Sequence, residues 1–335
     1  MPAIQDTAYP RFRSDIPVEE LAAAYTPTTV ERRWADKQVK HPRQRYYLLL
    51  HLKVYQKLGY VIPTDQIPES LCELVAEAVS LNKSPSKRQV KAFDGSSTRR
   101  RHAAWIRDYR GTRLLADSDR QWLSIIAVKA AESRDILADI INILLEELVR
   151  HRFELPPFAV LVKAARSARK QLNDRCFQSI WAELTPEGQL QIDELLASTP
   201  AVLSGWQRLK REPRKPTNKE VRGYLQHLKW LKGLALALPG TQSVPDTKRR
   251  QFTHEARALN LAQMRRLPRQ KRYALAVIFI RAQYAQALDD TAELLVRMMQ
   301  QVENTAQLHL REYQLAHQDR ADRLVGELKA VLQVL

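Results

Sequence analysis

Residues 83–113 combine a run of positive charge with the start and stop signals of short helices, and this combination restricts the possible fold more than any other stretch. They contain ten Lys or Arg and two Asp, a net charge of +8 out of +17 for the whole chain. Ser84 before Pro85 is typical of a helix start, because proline fits the first helical position. Asp94-Gly95-Ser96 indicates a break, after which Ser96 or Ser97 can cap a second helix, and Gly111 indicates a left-handed helix end. Two short helices joined by a tight turn are therefore predicted.

The rest of the chain favours helices as well. Just before the basic stretch, an amphipathic helix is indicated by the i, i+3, i+4, i+7 spacing of Leu71, Leu74, Val75 and Ala78. Glycine occurs only 9 times, and no sustained alternation of apolar and polar β-branched residues is found. We predict an all-α fold, with helix-turn-helix modules followed by a long helical connecting region. The predicted segments are a DNA-binding or dimerisation module (1–68), a helix-turn-helix module (69–155) and a helical scaffold (156–335).

Capping residues predict further helix boundaries. Thr29 is expected to cap one helix, and the next is expected to run from Pro42 to Gly59 as a core helix. Thr217 and Glu220 have the spacing of a capping box. A single basic helix is predicted for 248–267, and Pro268 is expected to begin the last long helix.

The basic helix that ends at Gly111 has two predicted faces. At 100° per residue, one face is formed by Thr98, His102, Trp105, Ile106 and Tyr109, which we expect to pack on the protein. The opposite face carries Arg100 and Arg107, with the small residues Ala103 and Ala104 between them. We expect Arg100 and Arg107 to reach base edges in a DNA groove, and the flanking Arg99, Arg101 and Arg110 to neutralise phosphates. The alternative is a merely solvated basic face.

Further cations are candidate DNA contacts because the charge is concentrated in two islands. Beside the first island, the candidates are Lys87, Arg88, Lys91, Arg113, Arg43, Arg45, Lys53 and Lys57. The second island, residues 205–272, contains 18 Lys or Arg and four Asp or Glu, a net charge of +14. Its candidates are Lys210, Arg211, Lys215, Lys248, Arg249 and Arg250. Such islands on a nearly neutral chain predict a polyanionic partner, double-stranded DNA.

The sequence offers little for other functions. Cys72 and Cys176 are its two cysteines, which favours reduced thiols and leaves no disulfide framework or Cys-based metal site. No apolar leader and no membrane-length apolar run is present, so we expect a cytoplasmic protein without a membrane partner. No glycine-rich phosphate loop is found, and we expect no cofactor, no bound metal and no catalytic residues.

Three stretches together resemble the N-terminal region of Tn-three family (class II, replicative) transposases. They are RQRYYLLLHLKVYQKLGYVIP (43–63), the segment from Ser97 through His102 to Gly111, and FELPPFAVL (153–161). Residues 254–280 are similar to the connecting region of those proteins. The resemblance implies helical modules that bind the terminal inverted repeats of a transposon. In that family the three acidic catalytic residues lie on a later ribonuclease-H-like domain. We expect that domain to be absent from these 335 residues, so this chain is not expected to be an enzyme.

Other functions were weighed against this one. His254 and Arg257 form an HxxR pattern, and Tyr284 follows, as in tyrosine recombinases. That chemistry needs a mixed α/β domain, whereas Tyr284 is predicted to lie within a continuous helix. A stand-alone DNA-binding regulator and a helical scaffold that binds nucleic acid non-specifically are the remaining alternatives. RNA binding is less favoured, because the tryptophans are too isolated to form a stacking platform.

An apolar stripe runs along the last helix. It is formed by Leu324, Val325, Leu328, Val331, Leu332 and Leu335. Such a stripe needs a partner surface. We expect either a homodimer or contact with the C-terminal domains of a longer transposase.

Overall fold

A computed structural model describes residues 3–12, 18–81, 84–197 and 204–333, and over these residues the protein is built mainly from α-helices. The all-α prediction is confirmed, since the described residues contain no strand and only one isolated bridge, between Arg113 and Phe153. None of the described helices is long and apolar enough to cross a membrane.

Backbone contacts divide the chain into two units, residues 1–173 and 174–335. The division falls within one helix, Phe158–Glu183, whereas the sequence suggested segments 1–68, 69–155 and 156–335. The predicted segments stay a prediction. The hydrophobic core of the first unit nevertheless draws on both of the first two segments, because Leu48 and Ile106 belong to the same buried cluster.

Within the described residues, the first unit contains eight α-helices and the start of a ninth. These are α1 (Val18–Tyr25), α2 (Thr29–Gln38), α3 (Pro42–Leu58), α4 (Glu69–Ala78), α5 (Lys87–Asp94), α6 (Ser97–Arg110), α7 (Arg120–Ser133), α8 (Leu137–Arg150) and α9 (Phe158–Glu183). The core helix is α3, in which 11 of 17 residues are buried. It packs against α2, α4 and α6. As predicted, Pro42 begins it and Gly59 ends it in the left-handed region, at φ 75°.

The part of the second unit that the structure describes contains the end of α9 and six further α-helices. These are α10 (Pro186–Leu195), α11 (Gly205–Leu209), α12 (Asn218–Leu236), α13 (Asp246–Ala258), α14 (Leu261–Arg266) and α15 (Arg269–Leu332). Its core forms where α12 and α13 pack against the first part of α15, in which every residue from Tyr273 to Ile280 is buried. Pro268 is the N-cap of α15, so this predicted boundary is confirmed. From residue 301 to residue 333 all side chains are exposed.

Three predicted boundaries are wrong by a few residues. α2 is capped by Thr28, not Thr29, because the Thr28 hydroxyl accepts from the Glu31 amide at 3.2 Å. α5 begins after Ser86, not Ser84, since Gln89 closes a capping box with Ser86. The predicted helix 248–267 is two helices, because Asn260 accepts from the Gln263 amide at 2.9 Å and starts α14.

Candidate nucleic-acid interface

The basic helix α6 is defined by its two ends, both as predicted. At its start the Ser96 hydroxyl accepts from the Arg99 amide at 3.2 Å and donates to the Phe93 carbonyl at 2.7 Å. Gly95 and Ser96 are all that separates α5 from α6. At its end Gly111 adopts φ 61°, a left-handed conformation that glycine adopts without strain. The helix-turn-helix order of elements is thus present between α4 and Gly111.

The inner face of α6 is anchored on the core of the first unit. His102 and Ile106 are buried, and Trp105 is half-buried. The Phe93 ring lies 5.5 Å from His102 and stacks on Tyr47 of α3, with centroids 4.0 Å apart. This packing fixes which side of α6 faces solvent. Tyr109 is 36% exposed, but its ring packs against the Trp34 ring of α2 with centroids 4.5 Å apart.

The outer face of α6 carries the cations available to a partner. Arg100, Arg101, Ala104 and Arg110 are exposed. Neither Arg100 nor Arg110 forms an ion pair with any residue that the structure describes. The Arg101 guanidinium lies 5.4 Å from the centre of the Trp105 ring, an arrangement that leaves its charge at the surface. A guanidinium without a carboxylate partner can form bidentate hydrogen bonds with a phosphate or a guanine edge.

Arg107 does not fit the role of a base-reading residue. Its Nη1 donates to Glu154 Oε2 at 3.0 Å, and its side chain is only 19% exposed. Glu154 also accepts from the Val61 amide at 3.4 Å, which ties the carboxylate to the segment after α3. Binding of a base would require Arg107 to leave this pair. Arg107 is therefore a structural link between α6 and the segment that follows α8.

Two other predicted contacts are partly engaged within the protein. Arg99 Nε lies 3.6 Å from Asp94 Oδ1, and the Arg99 side chain is 24% exposed. Arg113 pairs with Asp119 at 3.2 Å and lies over the Phe153 ring at 3.9 Å, but remains 60% exposed. Arg113 can still reach a phosphate, whereas Arg99 has much of its charge balanced by Asp94.

Around α6, the cations of α5 and α3 divide into exposed and engaged groups. Five are exposed, and no ion pair links them to another described residue: Lys87, Arg88, Lys91, Arg43 and Lys57. Arg45 pairs with Asp36 at 2.6 Å. The prediction for Lys53 does not fit its position, because it is buried and lies 3.3 Å from Glu31. Burial alone would raise the pKa of Glu31, but hydrogen bonds from Gln56 and Thr28 and the charge of Lys53 lower it.

Most of the cations predicted to form a second DNA surface are instead used inside the second unit. Lys210 donates to the carbonyls of Arg257 and Leu259 at 2.6 and 2.8 Å, so it closes the end of α13. Arg211 pairs with Glu220 at 2.9 Å. Lys248 is fully buried, which is incompatible with a phosphate contact.

Three members of this predicted set remain nearer the surface. Arg249 is half-buried and pairs with Asp246. Lys215 and Arg250 are exposed. Of the six cations predicted here, these last two are therefore the ones best placed to meet a polyanion.

Sequence reasoning missed an exposed basic face on α12. It consists of Lys219, Arg222, Lys229 and Lys232, all exposed. The signal that could have found it is the helical periodicity counted from the Thr217 cap, whose hydroxyl accepts from the Glu220 amide at 3.2 Å.

The residues weighed for chemistry make contacts within the second unit. Asp290 accepts from the Tyr224 hydroxyl at 2.7 Å and Arg257 pairs with Glu212 at 3.4 Å, both ordinary structural contacts. Tyr284 lies within the continuous helix α15, as predicted. Within the described ranges, no group of three or more His, Cys, Asp or Glu side chains is placed to hold a metal ion.

Fold and site together define an all-α protein. Its first unit presents a helix-turn-helix order of elements, with unpaired arginines on α6. Residues 1–168 match a family described as Domain of unknown function (DUF4158). The chain belongs to this family, and the match contains every element of the candidate interface from α3 to α6.

Proposed function

We propose that this chain binds the terminal inverted repeats of a DNA transposon and is the DNA-recognition part of a Tn-three type transposase. The observation that carries the proposal is the outer face of α6. There Arg100, Arg101 and Arg110 are exposed on a helix held rigidly by its buried face. Arg100 lies at the centre of the solvent side of α6, with Arg101 and Arg110 at its two edges, an arrangement that suits a major groove, which accommodates an α-helix. The proposal assigns DNA recognition, and no catalytic step, to this chain.

The helix gives its arginines different roles. Arg100 is the fourth residue of α6 and lies one turn before Ala104. The small side chain of Ala104 lets the helix backbone approach base edges. N-terminal residues of a recognition helix are those that reach bases. Arg110 is the last residue of α6. We expect this end of the helix to lie nearer the phosphates than the bases, because the N-terminal end is the one that enters the major groove. We therefore assign base contact to Arg100 and phosphate contact to Arg110.

Arginine substitutions on α6 test the proposal, with binding measured by fluorescence anisotropy. The two probes are a duplex carrying the terminal repeat of the element that encodes the protein and a scrambled duplex of equal length. Arg100→Ala should cost about 1–3 kcal/mol on the repeat and relax preference at one base pair. Arg110→Ala is the matched control and should weaken both duplexes equally, lowering the slope of log affinity against log salt by about 0.9. Equal losses on both duplexes for Arg100→Ala would contradict the assignment.

A further inference from the structure

The second unit has a basic surface of its own on helix α12. The solvent-facing side of α12 consists of the exposed Lys219, Arg222, Lys229 and Lys232. At 100° per residue, Arg222 and Lys229 lie near the middle of this side, and Lys219 and Lys232 lie at its two edges. The opposite side packs in the core through Tyr224, Leu231 and Leu234. We call the four cations and the residues between them the α12 basic face.

These four charges are not balanced within the protein. None of the four forms an ion pair with any described residue. The single acidic residue of α12 is Glu220, which pairs with Arg211 at 2.9 Å and is 17% exposed. Like charges three or four residues apart destabilise a helix. The α12 basic face therefore has an energetic cost that an acidic partner would remove.

A glycine on the same side gives an independent indication of a partner. Gly233 lies inside α12 and is exposed, and a Cβ atom built on it would meet nothing within 4 Å. Packing in the free protein gives no reason for glycine here, although glycine is less favourable than alanine in a helix interior. A missing side chain beside Lys229 and Lys232 lets another surface approach the helix backbone closely.

We infer that the α12 basic face binds the phosphate backbone of duplex DNA as a second contact surface. From Lys219 to Lys232 the helix rises about 20 Å at about 1.5 Å per residue. Duplex DNA carries one charge per about 1.7 Å of axis, so the four cations can each meet a phosphate along less than one helical turn. Phosphate contacts carry no sequence information, and this surface therefore adds affinity without changing base preference. The inference rests on the proposed function for its ligand, duplex DNA.

Two exposed glycines make a matched experiment possible. Gly326 in α15 is also exposed and helical, and a Cβ there also meets nothing within 4 Å. Gly233→Glu and Gly326→Glu therefore make the same change in charge and the same gain in helix propensity on different surfaces. Both variants should fold at least as stably as the parent chain, because Glu favours a helix more than Gly does. Thermal unfolding monitored by circular dichroism checks this point.

Duplex affinity then separates the two variants. The probe is a scrambled duplex of about 30 base pairs, which at about 1.7 Å per charge is longer than the face. Gly233→Glu should weaken binding about fivefold or more, because it places a negative charge among the four cations, whereas Gly326→Glu should change it less than twofold. A second pair of variants extends the test to salt. Arg222→Ala with Lys229→Ala should lower the salt slope by about 1.8 units, whereas Arg320→Ala with Arg323→Ala should leave it unchanged.

The outcomes distinguish this inference from the proposed function. Equal effects of Gly233→Glu and Gly326→Glu, whether both small or both large, would overturn the inference, and an acidic protein partner would then be the better reading of the face. A parent chain without preference for the terminal repeat would overturn the proposed function alone. Gly233→Glu should lower affinity for the repeat and the scrambled duplex by the same factor, and a loss confined to the repeat would also contradict the inference.

Discussion

Lowering the pH should unfold the first unit through two buried histidines that lie on either side of Phe93. His102 of α6 is 1% exposed, and neither of its ring nitrogens has a hydrogen-bond partner. His51 of α3 is 2% exposed and makes one contact, from Nε2 to Thr64 Oγ1 at 3.0 Å. Burial and the nearby Arg101 lower the pKa of His102 to about 4. Burial and Arg99 lower the pKa of His51 to about 3.

The sign and size of the effect follow from these pKa values. A histidine in the unfolded chain has a pKa of about 6.5, so the unfolded state takes up protons first as the pH falls. The stability is therefore fully present above about pH 6.5 and is lost progressively below it. Between pH 7 and pH 5 each histidine should lower the free energy of unfolding by about 2 kcal/mol. Together they should remove about 3–4 kcal/mol, a large part of the stability of a typical domain.

The measurement is urea unfolding of the full chain at pH 7, 6 and 5, with hydrogen exchange of the α6 peptide to locate the transition in the first unit. His102→Leu replaces the unpartnered ring with an apolar side chain of similar volume. It should lower the loss of stability between pH 7 and pH 5 by about 2 kcal/mol and should not destabilise the unit at pH 7. His41→Leu changes an exposed histidine of the same unit and is the matched control.

One result would refute the reasoning directly. If His102→Leu and the parent chain lose the same stability between pH 7 and pH 5, then protonation of His102 does not drive the acid transition. The same conclusion would follow if His41→Leu protected the unit as well as His102→Leu does.

Further predictions concern α6, its support and the last helix. Ser96→Ala removes the N-cap hydroxyl and should lower the free energy of unfolding of the first unit by about 1 kcal/mol in urea titrations, whereas Ser96→Asp should retain it. Glu154→Gln weakens the pair with Arg107 and should cost about 1–2 kcal/mol of stability, with a parallel loss of affinity for both DNA duplexes. An unchanged stability would show that the pair does not hold α6. Residues 301–333 are exposed throughout, so limited proteolysis with mass measurement should cut there first, and sedimentation should show whether a second copy protects the stripe. A protease-resistant helix in a monomer would contradict this prediction.

The apolar stripe noted in the sequence lies on this exposed part of α15. Leu324, Val325, Leu328, Val331 and Leu332 are all at least half exposed, and Leu335 lies outside the described residues. The sequence correctly indicated that these side chains share a helix. Whether a second copy or a further domain covers them stays a prediction.

The amino-acid sequence by itself determined the class of the fold and most helix ends. Gly59 and Gly111 end helices in the left-handed region, and Pro42 begins one, because these properties belong to the residue and its immediate neighbours. The buried side of α6 was predicted for the same reason, since helical periodicity needs no knowledge of the rest of the chain. The errors at Thr28 and Ser86 arose where a nearby residue offered a similar cap, whereas at Asn260 the sequence analysis missed a break within a predicted helix.

Only the tertiary structure decided which cations are free. Arg107 and Arg100 look alike in the sequence, but a carboxylate 47 residues away in the chain binds Arg107 and leaves Arg100 exposed. Lys210 likewise donates to the end of α13, and Lys53 is buried beside Glu31. Charge counts show that a segment is basic, but pairing depends on residues brought close by folding. The sequence therefore indicated a basic protein, and its folding left α6 and α12 among the helices that present unpaired charge to solvent.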